Sequence, residues 1–318
     1  MENGNKIPLV SIVGPTASGK TALSIEIAKL FDGEIVSADS MQIYKGMDVA
    51  TAKPSLEEQQ GIKHHLISFL DDDESFSVAQ YCKLAHAVIA DIHSRGKLPV
   101  MVGGTGLYVD SVINNTKFSK SESDPELRAK LLEIAENDGV GSLLGILESF
   151  DSDMARKLSV EKNVKRIIRA IEVYKVTGIT MTEHNKQSHN DDSPYKVVKI
   201  GLTATDRDYL YDRINKRVDI MVNNGLVEEA QLYLSQKLSD TASMAIGHKE
   251  LIPYVNGEAD LSACIDTLKM QTRRYAKRQL TWFRRDVDIN WFNIDEICIE
   301  ELIDQTTDVI KKVLFDEI

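Results

Sequence analysis

Gly14-Pro15-Thr16-Ala17-Ser18-Gly19-Lys20-Thr21 fits the pattern G-x-x-x-x-G-K-[S/T], which is typical of a phosphate-binding loop. The apolar run before it, at 7–13, predicts a strand buried on both faces, and the spacing of apolar residues over 21–30 predicts a helix after it. The start of such a helix directs backbone N–H groups and the positive end of its dipole at an anion. We therefore predict that these eight residues bind a diphosphate or triphosphate, with Lys20 at the phosphate oxygens and the Thr21 hydroxyl as a ligand of Mg²⁺.

Composition and charge limit the classes of protein that the chain fits. With 42% hydrophobic and 27% charged residues over 318 positions, it resembles globular proteins of one or two domains. No apolar run has membrane-spanning length, and the polar N-terminus predicts no signal peptide. The three cysteines, Cys82, Cys264 and Cys298, lack metal-binding or disulfide spacing, so we expect a reducing compartment, the cytoplasm. The net charge of −11 argues against non-specific binding of nucleic acid unless a local basic face overrides it.

Two further stretches place polar residues at the edge of the sheet where the loop opens. In a parallel sheet the carboxyl ends of the strands share an edge, and ligands bind there. A short strand at 35–38 leads into Asp39 and Ser40, and a buried strand at 98–102 leads into Gly103, Gly104 and Thr105. We interpret Asp39 and Thr105 as candidates for chemistry at this edge. Two plainer interpretations stay open, namely Asp39 as the cap of a turn and Thr105 as part of an ordinary strand-to-helix turn.

The middle of the chain has a different pattern. Helical spacing is found at 126–137, 142–150 and 163–177, with no strand pattern between them, and an alternating strand pattern returns at 195–202. The sequence therefore predicts an α/β fold, a three-layer P-loop core with a parallel sheet, formed by 1–116 and 197–318. An all-helical domain at 117–196 is inserted into it.

Basic residues are concentrated on two predicted helices. In the helical block, Lys162, Lys165, Arg166 and Arg169 lie opposite an apolar stripe, and the stretch 268–286 has seven basic residues before its first acid. A solvated surface is the plain interpretation of either face. Two such faces in a chain of net negative charge indicate a polyanionic partner, and arginine suits phosphate geometry.

These stretches, taken together, resemble the tRNA dimethylallyltransferases, a family of P-loop prenyltransferases that modify tRNA. The resemblance covers almost the whole chain and rests on the order and spacing of seven motifs, at 14–21, 38–44, 51–54, 102–108, 165–172, 213–218 and 276–282. His248 departs from the family pattern, which usually has tyrosine there, and this puts one local contact in doubt. No Cys/His finger follows Trp282, so the chain resembles the bacterial form.

The resemblance implies a reaction and a set of residues. A dimethylallyl group passes from dimethylallyl diphosphate to N6 of the adenine on the 3′ side of the anticodon in tRNA, and diphosphate leaves. Mg²⁺ is the implied cofactor, and the chain is expected to act as a monomer without a membrane partner. Asp39, Thr105 and Arg217 would be catalytic. The implied tRNA-binding residues are Asp39, Ser40, Met41, Gln42, Thr105, Arg128, Lys165, Arg166, Ile167, Ile168, Arg169, Arg274, Lys277 and Arg278.

Two other functions fit a phosphate loop. In a nucleoside or nucleotide kinase, Asp39 would activate an acceptor hydroxyl and Mg-ATP would be the donor, but the two basic faces would have no role. In a P-loop regulatory switch that binds nucleic acid without chemistry, Asp39 and Thr105 would have no role. Whether ATP binds the loop stays open.

Overall fold

The computed structural model describes residues 6–118, 124–188 and 192–315. This part of the chain forms two compact units, Met1–Ile113 with Ser193–Ile318, and Asn114–Asp192. The strand that follows the second unit starts at Tyr195, where Tyr195 and Lys196 pair with Ile7 and Pro8. The sheet therefore takes in Tyr195 and Lys196, the last two residues of the predicted insertion.

The first unit contains a sheet whose described strands are all parallel, in the order β3-β2-β4-β1-β5-β6. The predicted α/β fold with a parallel sheet is confirmed. The strands β1, β2, β4 and β5 end at neighbouring points of one edge, which is therefore where the loops after them meet. The strand bounds are β1 Ile7–Val13, β2 Gly33–Ser37, β3 His64–His65, β4 Leu98–Gly103, β5 Tyr195–Thr203 and β6 Asn290–Asn293.

Helices cover both faces of this sheet. The alternate residues Val10 and Ile12 of β1 share a core with α1 and α13, whereas Leu9 and Val13 point to the opposite face, which α2 contacts. A capping box at Ser77 and Gln80 starts α2. The helix bounds in this unit are α1 Lys20–Leu30, α2 Val78–Ser94, α3 Gly106–Ile113, α9 Arg207–Asn223, α10 Leu226–Leu234, α11 Ile252–Val255, α12 Leu261–Phe283 and α13 Ile299–Ile310.

Every secondary-structure element among the described residues of the second unit is a helix, as the absence of a strand pattern predicted. Its core is lined by Leu143, Leu147, Leu158 and Ile171, each at most 4% exposed. The helices are α4 Pro125–Asp138, α5 Val140–Glu148, α6 Ser152–Glu161, α7 Val164–Thr177 and α8 Met181–Gln187. In neither unit does a described helix combine the length and apolar character needed to cross a bilayer.

Candidate functional site

The phosphate loop joins β1 to α1 in the predicted manner. Gly14 has φ +147°, and a Cβ at this position would lie 2.5 Å from the carbonyl oxygen of Leu202. Gly19, at φ +89°, is the N-cap of α1, and no side chain caps the helix there. The N–H groups of the first turn therefore lack an intrahelical partner, which is the arrangement that binds anions.

Three side chains brace the backbone of this loop. Lys20 Nζ donates to the carbonyl of Pro15 at 2.6 Å, and Arg213 Nε donates to the carbonyl of Ala17 at 2.8 Å. The Thr16 N–H donates to Oε1 of Gln279 at 2.9 Å. Two of these braces come from α9 and α12, far away in the sequence, so the curled shape of the loop depends on tertiary contacts.

Two cations lie next to the loop without a neutralising partner. Part of the Lys20 side chain reaches the surface. Burial and, to a smaller extent, the charge of Arg217 lower its pKa to about 7, against the opposing charge of Asp39. Burial also lowers the pKa of Arg217, against the charges of Asp39 and Glu58. Neither cation forms a salt bridge with any described residue. The site is therefore short of negative charge, and an anion bound there would relieve the repulsion.

Asp39 has one oxygen engaged in the backbone and one oxygen without a partner. Its Oδ1 accepts the N–H of Met41 at 2.9 Å and the N–H of Gln42 at 3.3 Å. In the described chain no group donates to Oδ2. Its charge acts on Lys20, Arg217 and Tyr275. The capping interpretation and the chemical interpretation of Asp39 are thus compatible, because each uses a different oxygen.

Thr105 connects the turn after β4 to the turn after β2. The Ser40 N–H donates to Thr105 Oγ1 at 3.0 Å, and the Thr105 hydroxyl donates to Ser40 Oγ at 3.3 Å. Tyr275 of α12 is the third member of this group. Burial raises the pKa of its phenol and the charge of Asp39 raises it further, whereas hydrogen bonds with Thr105 and Gln279 lower it. The predicted residues Asp39 and Thr105 therefore lie in one cluster.

The remaining residues predicted after β2 lie beside this cluster. Ser40, Met41 and Gln42 are half-buried. The Gln42 carboxamide donates to the carbonyl of Thr51 and accepts from Ser37 Oγ, both at 3.3 Å. If tRNA binds the carboxamide of Gln42, it would have to replace these two long hydrogen bonds.

The carboxylate of Glu229, which is only partly exposed, holds the backbone of the segment that follows. Glu229 accepts the N–H groups of Asp48, Val49 and Ala50 at 2.7–2.9 Å and pairs with His248 Nε2 at 2.8 Å. Burial would raise the pKa of Glu229, but these hydrogen bonds lower it. His248 is 2% exposed, so its departure from the family pattern changes an interior contact.

The basic residues of α12 divide into exposed and engaged ones. Arg274, Lys277 and Arg278 are exposed, as an RNA contact requires, and the Arg278 guanidinium lies 5.6 Å from the centre of the Tyr275 ring. Arg273 instead donates to Asn215, at 2.7 Å, and Lys269 pairs with Asp219, at 2.5 Å. Spacing alone did not distinguish these two groups.

Three arginines of the helical unit that were predicted to bind tRNA form ion pairs with two glutamates. Arg166 pairs with the exposed Glu161, at 2.5 Å. Arg128 and Arg169 both pair with Glu172, at 2.7 and 2.5 Å, and its carboxylate is fully buried. Lys165 is exposed.

The structure places the side chains of two predicted tRNA-binding residues in the interior of this unit, where they cannot contact RNA. Ile167 is 0% and Ile168 is 4% exposed, and both belong to the core of the helical unit. They lie on the inner side of α7, because an amphipathic helix that presents basic residues must bury its apolar stripe.

Glu172→Gln should destabilise the helical unit, although it removes a negative charge from a basic surface. Burial would raise the pKa of Glu172, but the hydrogen bonds from Arg128 and Arg169 lower it. Glutamine cannot replace those charged bonds, so we expect a loss on the order of 2 kcal/mol in the free energy of unfolding, measured by urea denaturation. The folded-state pKa lies below the unfolded value of 4.5, so the stabilisation is present above that pH and is lost as the pH falls through the folded-state pKa.

The matched control is Glu161→Gln, which breaks the exposed pair with Arg166. It should cost about 0–1 kcal/mol, because exposed ion pairs contribute little. Equal losses in the two variants would show that Glu172 does not organise the two arginines.

Sequence reasoning missed Gln279, Arg213 and Tyr275 at the site. Arg213 belongs to the motif at 213–218, which gives no sign that its side chain holds the phosphate loop. Gln279 and Tyr275 lie one turn apart on α12, within the basic stretch. The sequence did contain one indication of their role. Tyr275 and Gln279 are polar residues on the inner face of that helix, beside the buried Ala276 and Phe283.

Comparison with known proteins gives concordant matches. The family model described as IPP transferase matches residues 42–286. A tRNA dimethylallyltransferase from Oceanobacillus iheyensis is 47% identical over 300 residues, which are 94% of this chain and 95% of that protein.

Solved structures agree with these matches. The crystal structure of a full-length tRNA isopentenylpyrophosphate transferase from Bacillus halodurans is 44% identical, with a TM-score of 0.74 over 98% of both chains. A eukaryotic dimethylallyltransferase, described as acting on tRNA, is 29% identical, with a TM-score of 0.80 over 96% of this chain and 80% of that one.

Proposed function

We propose that this chain, which belongs to the IPP transferase family, transfers a dimethylallyl group from dimethylallyl diphosphate to N6 of the adenine on the 3′ side of the anticodon in tRNA. The observation that carries the proposal is the cluster of Lys20, Arg217 and Asp39, an anion site with a carboxylate beside it. The lack of disulfide-bonded cysteines among the described residues fits a reaction in the cytoplasm.

The phosphate loop would bind the leaving group in this reaction. As the C–O bond of the donor breaks, negative charge grows on diphosphate and the allylic carbon becomes cation-like. The N–H groups at the start of α1, Lys20 and Arg217 would stabilise that negative charge. No phosphoryl group is transferred, so the role of the loop is to bind diphosphate and stabilise its negative charge.

The residues at the loop fit a magnesium ion bound together with diphosphate. Thr21 is exposed in the first turn of α1, and its hydroxyl has no hydrogen-bond partner in the described chain. Mg²⁺ in such sites takes one or two protein ligands and completes its shell with phosphate oxygens and water. When bound, it would neutralise charge on the leaving group.

Asp39 is the candidate base for the acceptor. The exocyclic amine of adenine is a weak nucleophile, and it must lose a proton as the C–N bond forms. Asp39 Oδ2 can accept that proton, because Oδ1 alone holds the backbone of Met41 and Gln42. Thr105, which is hydrogen-bonded to Ser40, would orient the adenine.

The adenine has to leave its stack to reach such a site. Arg274, Lys277 and Arg278 on α12 are suited to contact the RNA backbone. In the helical unit, the same role would fall to Lys165, Arg166, Arg128 and Arg169.

A mixing assay tests the reaction. The purified chain is incubated with unmodified tRNA and labelled dimethylallyl diphosphate, and in parallel with labelled ATP and nucleosides or nucleotides. We expect label from dimethylallyl diphosphate at the adenine next to the anticodon, located by nuclease digestion and mass spectrometry. Phosphate transfer from ATP without prenyl transfer would identify a kinase, and tRNA binding without either reaction would identify a switch.

Substitution of the exposed residues of α12 should change how tRNA binding depends on salt. For each of Arg274→Ala, Lys277→Ala and Arg278→Ala, we expect the slope of log K against log salt concentration to fall by about one unit, because each phosphate contact releases a counterion. Filter binding at several salt concentrations measures the slope.

The control for this series is Lys312→Ala. Lys312 is also exposed, but its segment lies near the start of β5, where Lys196 Nζ donates to the carbonyl of Leu314, at 3.1 Å. That place is at the opposite edge of the sheet from the phosphate loop. An unchanged slope after two α12 substitutions would mean that this face is only solvated.

A further inference from the structure

Gln279 of α12 bridges the donor side and the acceptor side of the site. Its Oε1 accepts the N–H of Thr16 in the phosphate loop at 2.9 Å, and its Nε2 donates to the carbonyl of Gly104 at 3.0 Å. Gly104 directly precedes Thr105, which is bonded to Ser40 and clusters with Asp39. One side chain, 5% exposed, thus joins two loops that follow different strands.

The surrounding packing is shaped for this carboxamide. A Cβ on Gly104 would lie 2.0 Å from Gln279 Nε2, so no residue larger than glycine fits there unless the amide moves. The carboxamide oxygen is bonded to Thr16 and the carboxamide nitrogen to Gly104. Both hydrogen-bonding ends of the carboxamide are therefore in use.

We propose that Gln279 is a positioning residue that fixes the distance between the diphosphate site and the acceptor site. This inference rests on the proposed function. The Thr16 N–H donates to Gln279 of α12 and is therefore not available to diphosphate, which would be bound by the N–H groups at the start of α1. The bond to Gly104 then sets the turn that carries Thr105 at a fixed separation from those amides.

Gln279 lies on the same helix as the exposed basic residues. It directly follows Lys277 and Arg278, which are exposed on the same helix. The residues Ala276 of α12 and Ile214 of α9 share a core with Ala17 of the phosphate loop. The helix that presents basic residues to RNA is therefore the helix that holds the loop for the donor.

The test is a double-mutant cycle on Gln279 and Gly104. Gln279→Ala should raise KM for dimethylallyl diphosphate roughly tenfold, the worth of about one net hydrogen bond, and should also lower kcat, because the reacting atoms lose their alignment. Gly104→Ala should do the same by displacing the amide. In the Gln279→Ala background the space is free, so Gly104→Ala should add less than twofold.

Two further readouts separate positioning from general stability. The Kd for tRNA should stay within about twofold of the parent value, because Gln279 is buried and makes no exposed contact. The isosteric Gln279→Met, which is less prone to fold poorly than the alanine variant, should reproduce the effects. Gln271→Met, the same change on a half-buried position of α12, should leave KM and kcat unchanged.

The outcomes are distinct. Additive effects of Gln279→Ala and Gly104→Ala, or equal losses of tRNA affinity and donor affinity, would overturn the bridge. Calorimetric binding of inorganic diphosphate, compared between the parent and Gln279→Met, tests the loop without any prenyl transfer. Weaker diphosphate binding in the variant would support the bridge even if the parent failed to prenylate tRNA, and unchanged binding would overturn it.

Discussion

Asp39→Asn should lower kcat about 10²–10⁴-fold, the range that a general base supplies, with a smaller change in KM for dimethylallyl diphosphate. The amide oxygen of asparagine can still accept the N–H groups of Met41 and Gln42, as Oδ1 does now. Only the second oxygen changes, from a proton acceptor to an NH₂ group. The variant therefore keeps the turn and loses the base. Steady-state kinetics and the melting temperature, measured on one preparation, report the two roles separately.

Asp206→Asn is the matched control for this substitution. Asp206 caps α9 and accepts the N–H of Asp208 at 2.9 Å, so it holds a turn after β5 much as Asp39 holds one after β2. We expect it to keep its kcat. Near-normal turnover by Asp39→Asn, or a lower melting temperature with kcat retained, would show that Asp39 only caps a turn and is not a general base.

The parts of the site that the sequence predicts are those that depend on local geometry. The phosphate loop, the strand before it and the helix after it are consecutive, so the pattern over 7–30 specifies them together. Asp39 and Thr105 were found because they directly follow buried strands, and parallel strands end at one edge.

The parts that sequence reasoning missed depend on contacts between distant segments. Gln279 binds Thr16 across 263 positions, and no period of the sequence records that pair. The division of α12 into exposed Arg274 and engaged Arg273 depends on where α9 packs, because Asn215 and Tyr211 lie on that helix. The motif that contains Ile167 and Ile168 combines core and surface residues, and the apolar members belong to the core.

The second large effect is expected at Lys20. Lys20→Met should lower kcat/KM for dimethylallyl diphosphate about 10²–10³-fold, the loss typical of removing one donor that stabilises developing negative charge. Thr21→Ala should also reduce diphosphate binding or turnover. Affinity for tRNA should be retained in both variants, because in the proposed reaction the loop binds the small substrate and the basic helix surfaces contact the RNA. An equal loss of tRNA affinity would contradict this division.

Lys20→Met should at the same time stabilise the ligand-free protein near pH 7. The pKa of Lys20 falls from 10.5 in the unfolded chain to about 7 in the folded one, so between these values the unfolded state binds more protons. The contribution of Lys20 to stability therefore rises with pH from about 7 to 10.5 and is unfavourable at pH 7 and below. A variant that melts higher and yet loses donor binding cannot be explained by misfolding.

The same pKa makes donor binding depend on pH. In the free protein Lys20 loses its proton as the pH rises through about 7, whereas bound diphosphate favours the charged ammonium. Binding at pH 8 should therefore take up a proton at Lys20, and kcat/KM for the donor should fall above about pH 7. Calorimetric titrations in two buffers of different ionisation enthalpy measure that uptake. Because diphosphate has proton equilibria of its own, the decisive quantity is the difference between the parent and Lys20→Met, and equal uptake by both would show that Lys20 stays charged in the free protein.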